Sequence, residues 1–326
     1  IKVSEQVVVR CDAGAALLRI VKLLTPDQRN EISVELVKGL EVGEYEFSKY
    51  IPQYLGEFAL WLPPEQLDEL IENLRASLSS ANERIVCGAL DTLAVILEYY
   101  GVYASQFAEP SEENRRRADR LLGCLLGGLA SHRVTVRQEA LQLLGQLFAS
   151  IRLSAEEKNR LFGLCFQKLL FFLDENQPTI LSLYYRAAAL SHICRFISNY
   201  HVENGRLPVS IWNKVAFFPG TFDPFTLSHK GIVRAIRDMG YEVYLAIDEF
   251  SWSKNTQPHL VRRQIVSMSV ADMFHVHLFP DEIPVNIANP SDLARLKAVF
   301  PGREVYLVVG SDVIAGASAY TAPPRE

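Results

Sequence analysis

Two patterns of apolar and polar positions divide the chain. Across residues 1–200, leucine-rich apolar positions return every three or four residues, the spacing that lines one face of an α-helix. Prolines fall at the breaks between these stretches (Pro26, Pro52, Pro63-Pro64, Pro110 and Pro178), and Asn82-Glu83-Arg84 and Ser131-His132-Arg133 have the polar composition of helix openings. From residue 214 the pattern changes to short β-rich runs alternating with helical ones. Strands are predicted over 215–218, 243–247, 276–279 and 305–309, with helices over about 229–239, 259–272 and 291–299 between them. Such alternation predicts a parallel sheet with helices on both faces. Residues 201–213, with Asn204-Gly205 and Pro208, read as a turn-rich linker. The expected fold is therefore multidomain: an all-α domain over 1–200, then an α/β Rossmann-like domain over 214–326. The 326 residues accommodate two domains, since one usually holds ~100–200.

The helical half repeats itself. Aligning Ile85, Val136 and Tyr185, at spacings of 51 and 49 residues, brings Ala89, Ala140 and Ala189 into line. Leu90, Leu141 and Leu190 follow, then Leu93, Leu144 and Ile193, then Leu97, Phe148 and Ile197. Each copy is an amphipathic helix with alanine at one fixed place, where a small side chain lets a neighbouring helix approach. Second helices are predicted between the copies, over roughly 113–130 and 155–174. Over residues 64–200 this pattern resembles the HEAT and armadillo class of helical repeats, with units somewhat longer than the usual ~40–47 residues. The resemblance implies a stacked scaffold whose groove takes a protein partner. No acid, base or nucleophile clusters in this half, which points to a scaffolding or regulatory role.

Charge and cysteine usage narrow the partners. The net charge of -5 offers no basic footprint for nucleic acid. The densest basic run, Arg115, Arg116, Arg117 and Arg120, reads as the solvated start of a helix. Of five cysteines no two share a Cys-x-x-Cys spacing, and all but Cys11 sit among apolar residues at helical spacing. They read as buried reduced thiols of a cytoplasmic protein, with no paired ligands for zinc. His275 and His277 alternate on a predicted strand as edge or surface residues. The richest apolar stretch, 121–130, is shorter than the ~20 residues a membrane span needs. The N-terminus has no basic segment followed by an apolar one, so neither a membrane nor a secretory signal is expected. The chain opens on Ile1 rather than methionine and reads as a trimmed copy.

The chemistry concentrates where the first predicted strand turns into a helix, at Phe218-Pro219-Gly220-Thr221-Phe222-Asp223-Pro224-Phe225-Thr226-Leu227-Ser228-His229. A strand-to-helix turn aims backbone N–H groups and the positive end of a helix at one point, where phosphate oxygens bind. Gly220 offers close backbone approach, Asp223-Pro224 a sharp turn, Thr226 a hydroxyl, and His229 an imidazole at the mouth of the helix. The segment resembles the first motif of the nucleotidyltransferase superfamily, commonly Gly-x-Phe-Asp-Pro followed by His-x-Gly-His. Gly220, Phe222, Asp223, Pro224 and His229 match it. Thr226 stands where many members carry the first histidine, as it does in pantetheine-phosphate adenylyltransferases, and Ser228 replaces the glycine.

A second resemblance lies downstream. Gly310-Ser311-Asp312 closes a strand like the Gly-x-Asp that borders the nucleotide in nicotinate-mononucleotide adenylyltransferases. Lys254 to Arg263 resembles the family's basic loop before a helix, which makes Lys254, Trp252 and Arg263 candidates for acceptor contacts. The resemblance covers about residues 214–314. It implies adenylyl transfer from ATP to a phosphate-bearing acceptor, with nicotinate mononucleotide first and release of pyrophosphate, as in NAD biosynthesis. His229 and Thr226 would serve the reacting phosphate. Gly220, Thr221, Phe222, Asp223, Ser228, Gly310 and Asp312 would surround the nucleotide. Mg²⁺ would travel on the triphosphate, and no metal site of the protein's own is expected. Pantetheine-phosphate adenylyltransferase and cytidylyltransferase activities are the enzymatic alternatives, and a nucleotide-sensing helical scaffold is the non-catalytic one. The family's later motif, Ile-Ser-Ser-Thr-x-x-Arg, is not found, so the α/β domain reads as incomplete at its C-terminus.

Overall fold

A computed structural model of the protein describes residues 5–42, 45–103, 107, 109–174, 180–207, 211–248 and 256–310. The chain falls into two units, Ile1–Pro208 and Val209–Glu326.

The first unit is helical throughout: α1 (Val7–Ile20), α2 (Pro26–Val42), α3 (Tyr45–Ser48), α4 (Ile51–Ala59), α5 (Pro64–Ser77), α6 (Glu83–Tyr103), α7 (Ser111–Leu129), α8 (Val134–Ala149), α9 (Ala155–Asp174) and α10 (Ile180–Asn204). Helices α4, α6, α8 and α10 pack each on the next, α5 and α7 lie against α6, and α7 also touches α8 and α9. The repeated alanines sit at these seams, with Ala89, Ala140 and Ala189 all 2% exposed or less. At the α8–α10 seam the approach is close enough that a Cβ on Gly145 would lie 3.0 Å from the Ala189 Cα. Leu90, Leu93, Leu141 and Leu144 fill the interior. In the third copy Leu190 and Ile197 are 43% and 38% exposed, because α10 ends the row and no later helix of this unit covers its outer side.

Four expectations need correction here. Arg117 is not solvated: it is 4% exposed, and its guanidinium donates to both Asp68 carboxylate oxygens at 2.8 Å, to Glu109 and to the Tyr100 hydroxyl. Arg116 and Arg120 pair with Glu112, Glu113, Asp68 and Glu72, so the basic run ties α5, α6 and α7 together. Among the cysteines Cys124 and Cys165 are buried, but Cys194 is exposed on the outer face of α10, one residue beyond the buried Ile193. The most apolar helix is α6, with a mean hydropathy of 1.6 over its richest window, long enough to cross a membrane. Its side chains are consumed inside the unit, where Leu90, Leu93, Ile96 and Leu97 are 1% exposed or less. Finally, α10 runs on to Asn204, so the first four residues read as linker are helical.

The second unit alternates strictly: β1 (Lys214–Gly220), α11 (Leu227–Asp238), β2 (Tyr241–Ile247), α12 (His259–Val270), β3 (Val276–Leu278), α13 (Pro290–Val299) and β4 (Glu304–Leu307). All pairings are parallel and the sheet order is β3-β2-β1-β4. One face, with Ala216, Val243, Leu245 and Ile247, packs on Val233 of α11 and on Val266 and Val270 of α12. The other, with Val215 and Phe217, packs on Leu296 of α13 and on Phe279 and Phe300. The chain winds from β1 outward through β2 and β3, then returns to place β4 on the far side of β1. Strand order thus reverses between β1 and β4, the position at which open parallel sheets leave a crevice beyond their carboxyl ends.

At the opposite end of the sheet, buried Glu242 binds His277 Nε2 at 3.1 Å and pairs with Arg303, which also donates to the Trp212 carbonyl. Burial works against the Glu242 charge, but His277 and Arg303 outweigh it and hold the carboxyl below its ordinary range. His277 thus stands on the edge strand β3, as expected, but turns its ring inward onto Glu242, and His275 lies flat on Trp212 with ring centres 3.9 Å apart.

Candidate functional site

The β1 to α11 turn is built around an aromatic plug. Phe222 is 4% exposed, and its ring fills the place a Cβ on Gly220 would take, 2.9 Å from that position. Glycine at 220 is thus required by packing within the turn. Phe222 adopts a left-handed φ of 47°, the following Asp223-Pro224 bond is cis, and the Asp223 carboxylate accepts from the Gln257 N–H at 2.8 Å. Phe225 packs edge-on to Phe222 at 5.5 Å, and the His229 ring stacks on Phe225 at the same distance.

Thr226 is the N-cap of α11. Its backbone N–H donates to His229 Nδ1 at 3.0 Å, its Oγ1 lies 2.9 Å from the same nitrogen, and its Oγ1 accepts from the His229 N–H at 3.4 Å. Threonine and histidine close a capping box in which the imidazole takes the part usually played by Glu or Gln. The consequence is chemical: a nitrogen that accepts a backbone N–H cannot carry a proton in the neutral ring, so Nε2 holds it. The turn therefore fixes His229 as an Nε2–H donor at the first turn of a helix, where the backbone dipole already favours an anion. The Thr226 hydroxyl is turned onto His229, which makes it first a positioning group.

A residue that the sequence reading passed over holds the turn to the rest of the sheet. Arg262 of α12 is 1% exposed and donates to three main-chain carbonyls: Thr221 at 2.6 Å, Asp248 at 2.8 Å and Gln257 at 2.9 Å. The Gly220 carbonyl in turn accepts from the Asp248 N–H at 3.1 Å. With the carbonyls of Gly220 and Thr221 drawn toward β2 and α12, the planar peptide turns the N–H groups of Thr221 and Phe222 to the opposite side of the turn. Asp248, just past β2, is a further acidic group at this edge. The residue is exposed, yet desolvation around its carboxyl raises its pKa more than the Arg262 charge lowers it.

Gly310 follows β4, the strand on the far side of β1 from β2. The Val308 N–H donates to the Phe217 carbonyl at 2.8 Å, just past the last paired position, Phe217↔Leu307. The fold thus brings Gly220, Thr221, Thr226 and His229 together at the carboxyl end of β1, with Gly310 three residues past the end of the neighbouring strand β4. Ser228 is exposed on the first turn of α11.

No protein-family model, no curated protein and no solved structure matches the chain.

The remaining predicted contacts fare differently. Arg263 is turned to the carboxyl end of β3, where it donates to Asp281 at 2.8 Å and to the Phe279 carbonyl at 3.3 Å. Its neighbour Arg262, four residues before the buried Val266, is the arginine on the inner face of α12. Trp252, Lys254 and Asp312 lie outside the described residues. Among the described residues no group of three or more His, Cys, Asp or Glu side chains is placed to hold a metal.

Proposed function

We propose that the second unit is a nucleotidyltransferase that moves an adenylyl group from ATP to a mononucleotide, nicotinate mononucleotide first, and releases pyrophosphate. An oxygen of the acceptor phosphate attacks the α-phosphorus as the bond to the β-phosphate oxygen breaks, and pyrophosphate leaves with the electron pair. This transfer asks for positioning and for donors where charge builds, more than for covalent help from the protein. The observation that carries the reading is the Thr226–His229 box, which holds an imidazole N–H donor at the start of α11 and at the carboxyl end of β1. The turn's peptide N–H groups, aimed away from Arg262, would receive phosphate oxygens. The metal enters as part of the substrate, MgATP, and keeps most of its waters on the triphosphate. The helical unit would serve as an α-solenoid scaffold of the HEAT and armadillo kind, presenting the transferase to a protein partner.

Incubating the chain with ATP or CTP and with nicotinate mononucleotide, nicotinamide mononucleotide or phosphopantetheine tests this reading through pyrophosphate release. Product with ATP and nicotinate mononucleotide is expected. Product only with phosphopantetheine would move the assignment to the pantetheine-phosphate class. ATP binding without product from any acceptor would favour a nucleotide sensor.

A further inference from the structure

The helical unit contains a basic, aromatic-lined cavity that its architecture does not explain. It lies where the end of α8, the start of α9 and the second half of α10 meet, and its volume is about 270 Å³. That is near the low end for small-molecule sites and suits a single ring with one substituent. Half-buried Lys158 of α9 and exposed Arg195 of α10 both line it, and among the described residues no salt bridge joins either to a carboxylate. This contrasts with Arg117, Arg120, Arg152 and Arg160 of the same unit, each of which is paired. Of the acidic groups nearby, Glu157 is taken by Arg160, which leaves Glu203 as the carboxylate on the cavity wall. Desolvation holds the Lys158 ammonium below the usual lysine range, as expected of a cation without a counter-charge.

Two more features belong to the cavity wall. His192 lines the cavity, and its Nδ1 is buried with no hydrogen-bond partner, a state that native interiors seldom leave unexplained. Beside the cations the wall is apolar: Phe196 is stacked on Phe148 at 5.5 Å and touches Tyr200 at 6.1 Å. Ile151, at the rim, is 94% exposed. A single exposed isoleucine is ordinary on a surface, and here it stands at the mouth of the cavity, where a ring entering from solvent would meet it.

We propose that this cavity binds a small aromatic anion, a single planar ring carrying a phosphate. Lys158 and Arg195 hold the anion, and the ring lies between Ile151 and the Phe196–Tyr200 wall. The site belongs to the helical unit and does not depend on the reading of the second unit.

Titration calorimetry of the full chain with phenyl phosphate and with inorganic phosphate tests it. Phenyl phosphate is expected to bind at least tenfold more tightly than phosphate. Arg195→Gln and Lys158→Gln should each weaken it about tenfold, the worth of one charge-assisted hydrogen bond. Ile151→Asp, at an exposed position that leaves the core intact, should weaken phenyl phosphate and leave inorganic phosphate nearly unchanged. His229→Ala should have no effect, which separates this cavity from the turn of the second unit. The proposal falls if phenyl phosphate does not bind, if phosphate binds as tightly, if binding survives both charge substitutions, or if it disappears in His229→Ala.

Discussion

Replacing Arg262 with methionine should loosen the whole edge of the sheet on which the candidate site stands. The guanidinium donates to the carbonyls of Thr221, Asp248 and Gln257 at 2.6–2.9 Å, joining the end of β1, the end of β2 and the approach to α12. A hydrogen bond from a charged donor is worth about 1.5–3 kcal/mol, so three give an upper bound of roughly 5–9 kcal/mol. Methionine of similar length avoids desolvating the guanidinium, a cost of several kcal/mol, and some freed carbonyls will reach water. The net loss expected is on the order of 2–4 kcal/mol, located in the second unit. With Trp61 of the first unit replaced by phenylalanine, tryptophan fluorescence, including that of Trp212 stacked on His275, reports unfolding of the second unit in urea. Hydrogen exchange provides a local readout, because the Gln257 N–H is held by Asp223 at 2.8 Å and the Asp248 N–H by Gly220. Both amides should lose protection in Arg262→Met. Arg262→Lys should recover only about 1 kcal/mol, since one ammonium cannot span three carbonyls on different segments. A change below about 0.5 kcal/mol with unaltered exchange at these two amides would refute the claim that Arg262 positions the turn.

Three further substitutions probe separate parts of the account. Gly220→Ala should destabilise the second unit by about 1–3 kcal/mol in thermal melts, because the added methyl meets the Phe222 ring at 2.9 Å; a neutral result would show that the plug yields freely. The Glu242 carboxyl lies below its ordinary value, so its contribution is complete above the unfolded pKa near 4.5 and is lost as pH falls through the lower folded value. Glu242→Gln should therefore flatten the acid limb of the stability profile and cost on the order of 3 kcal/mol at neutral pH, as the His277 and Arg303 partners lose their counter-charge. Asp91 behaves with the opposite sign: burial, then the Glu139 charge, raises its pKa from 3.8 to about 7. Stability should fall as pH rises from about 4 toward 7, and Asp91→Asn should remove that slope in denaturation curves taken across this range.

Most of the architecture was legible because two periodicities carry it. The four strands and the three helices between them fall within two residues of the positions read from alternation. The alanine repeat marks the seams between α6, α8 and α10, since only a small side chain lets helices approach as α8 and α10 do at Gly145. Phase within a helix was harder. Arg262 and Arg263 are adjacent, and only the buried Val266 and Val270 at four-residue steps reveal that Arg262 takes the inner face while Arg263 turns to Phe279 and Asp281. Arg117 and Cys194 deceived for the same reason: a run of charge or of apolar neighbours does not say which face a residue occupies. The tie between Thr226 and His229 lay in their three-residue spacing, a capping-box interval disguised by histidine in place of glutamate. Asp248 stood one residue past a correctly read strand, at the edge where parallel sheets bind ligands. The Glu242–His277–Arg303 ion pairing joins residues up to 61 apart and leaves no local mark.

The central claim is that His229, held by Thr226 as an Nε2–H donor, stabilises charge on a phosphate during adenylyl transfer. The most direct measurement is single-turnover formation of dinucleotide and pyrophosphate from MgATP and nicotinate mononucleotide, comparing the wild-type chain with His229→Ala. The account predicts stoichiometric products from the wild type and a rate lower by a factor of about 10²–10³ in the variant, the usual cost of removing one such donor. Wild-type turnover that survives in His229→Ala within a few-fold, or no pyrophosphate from the wild type with any acceptor, would contradict it.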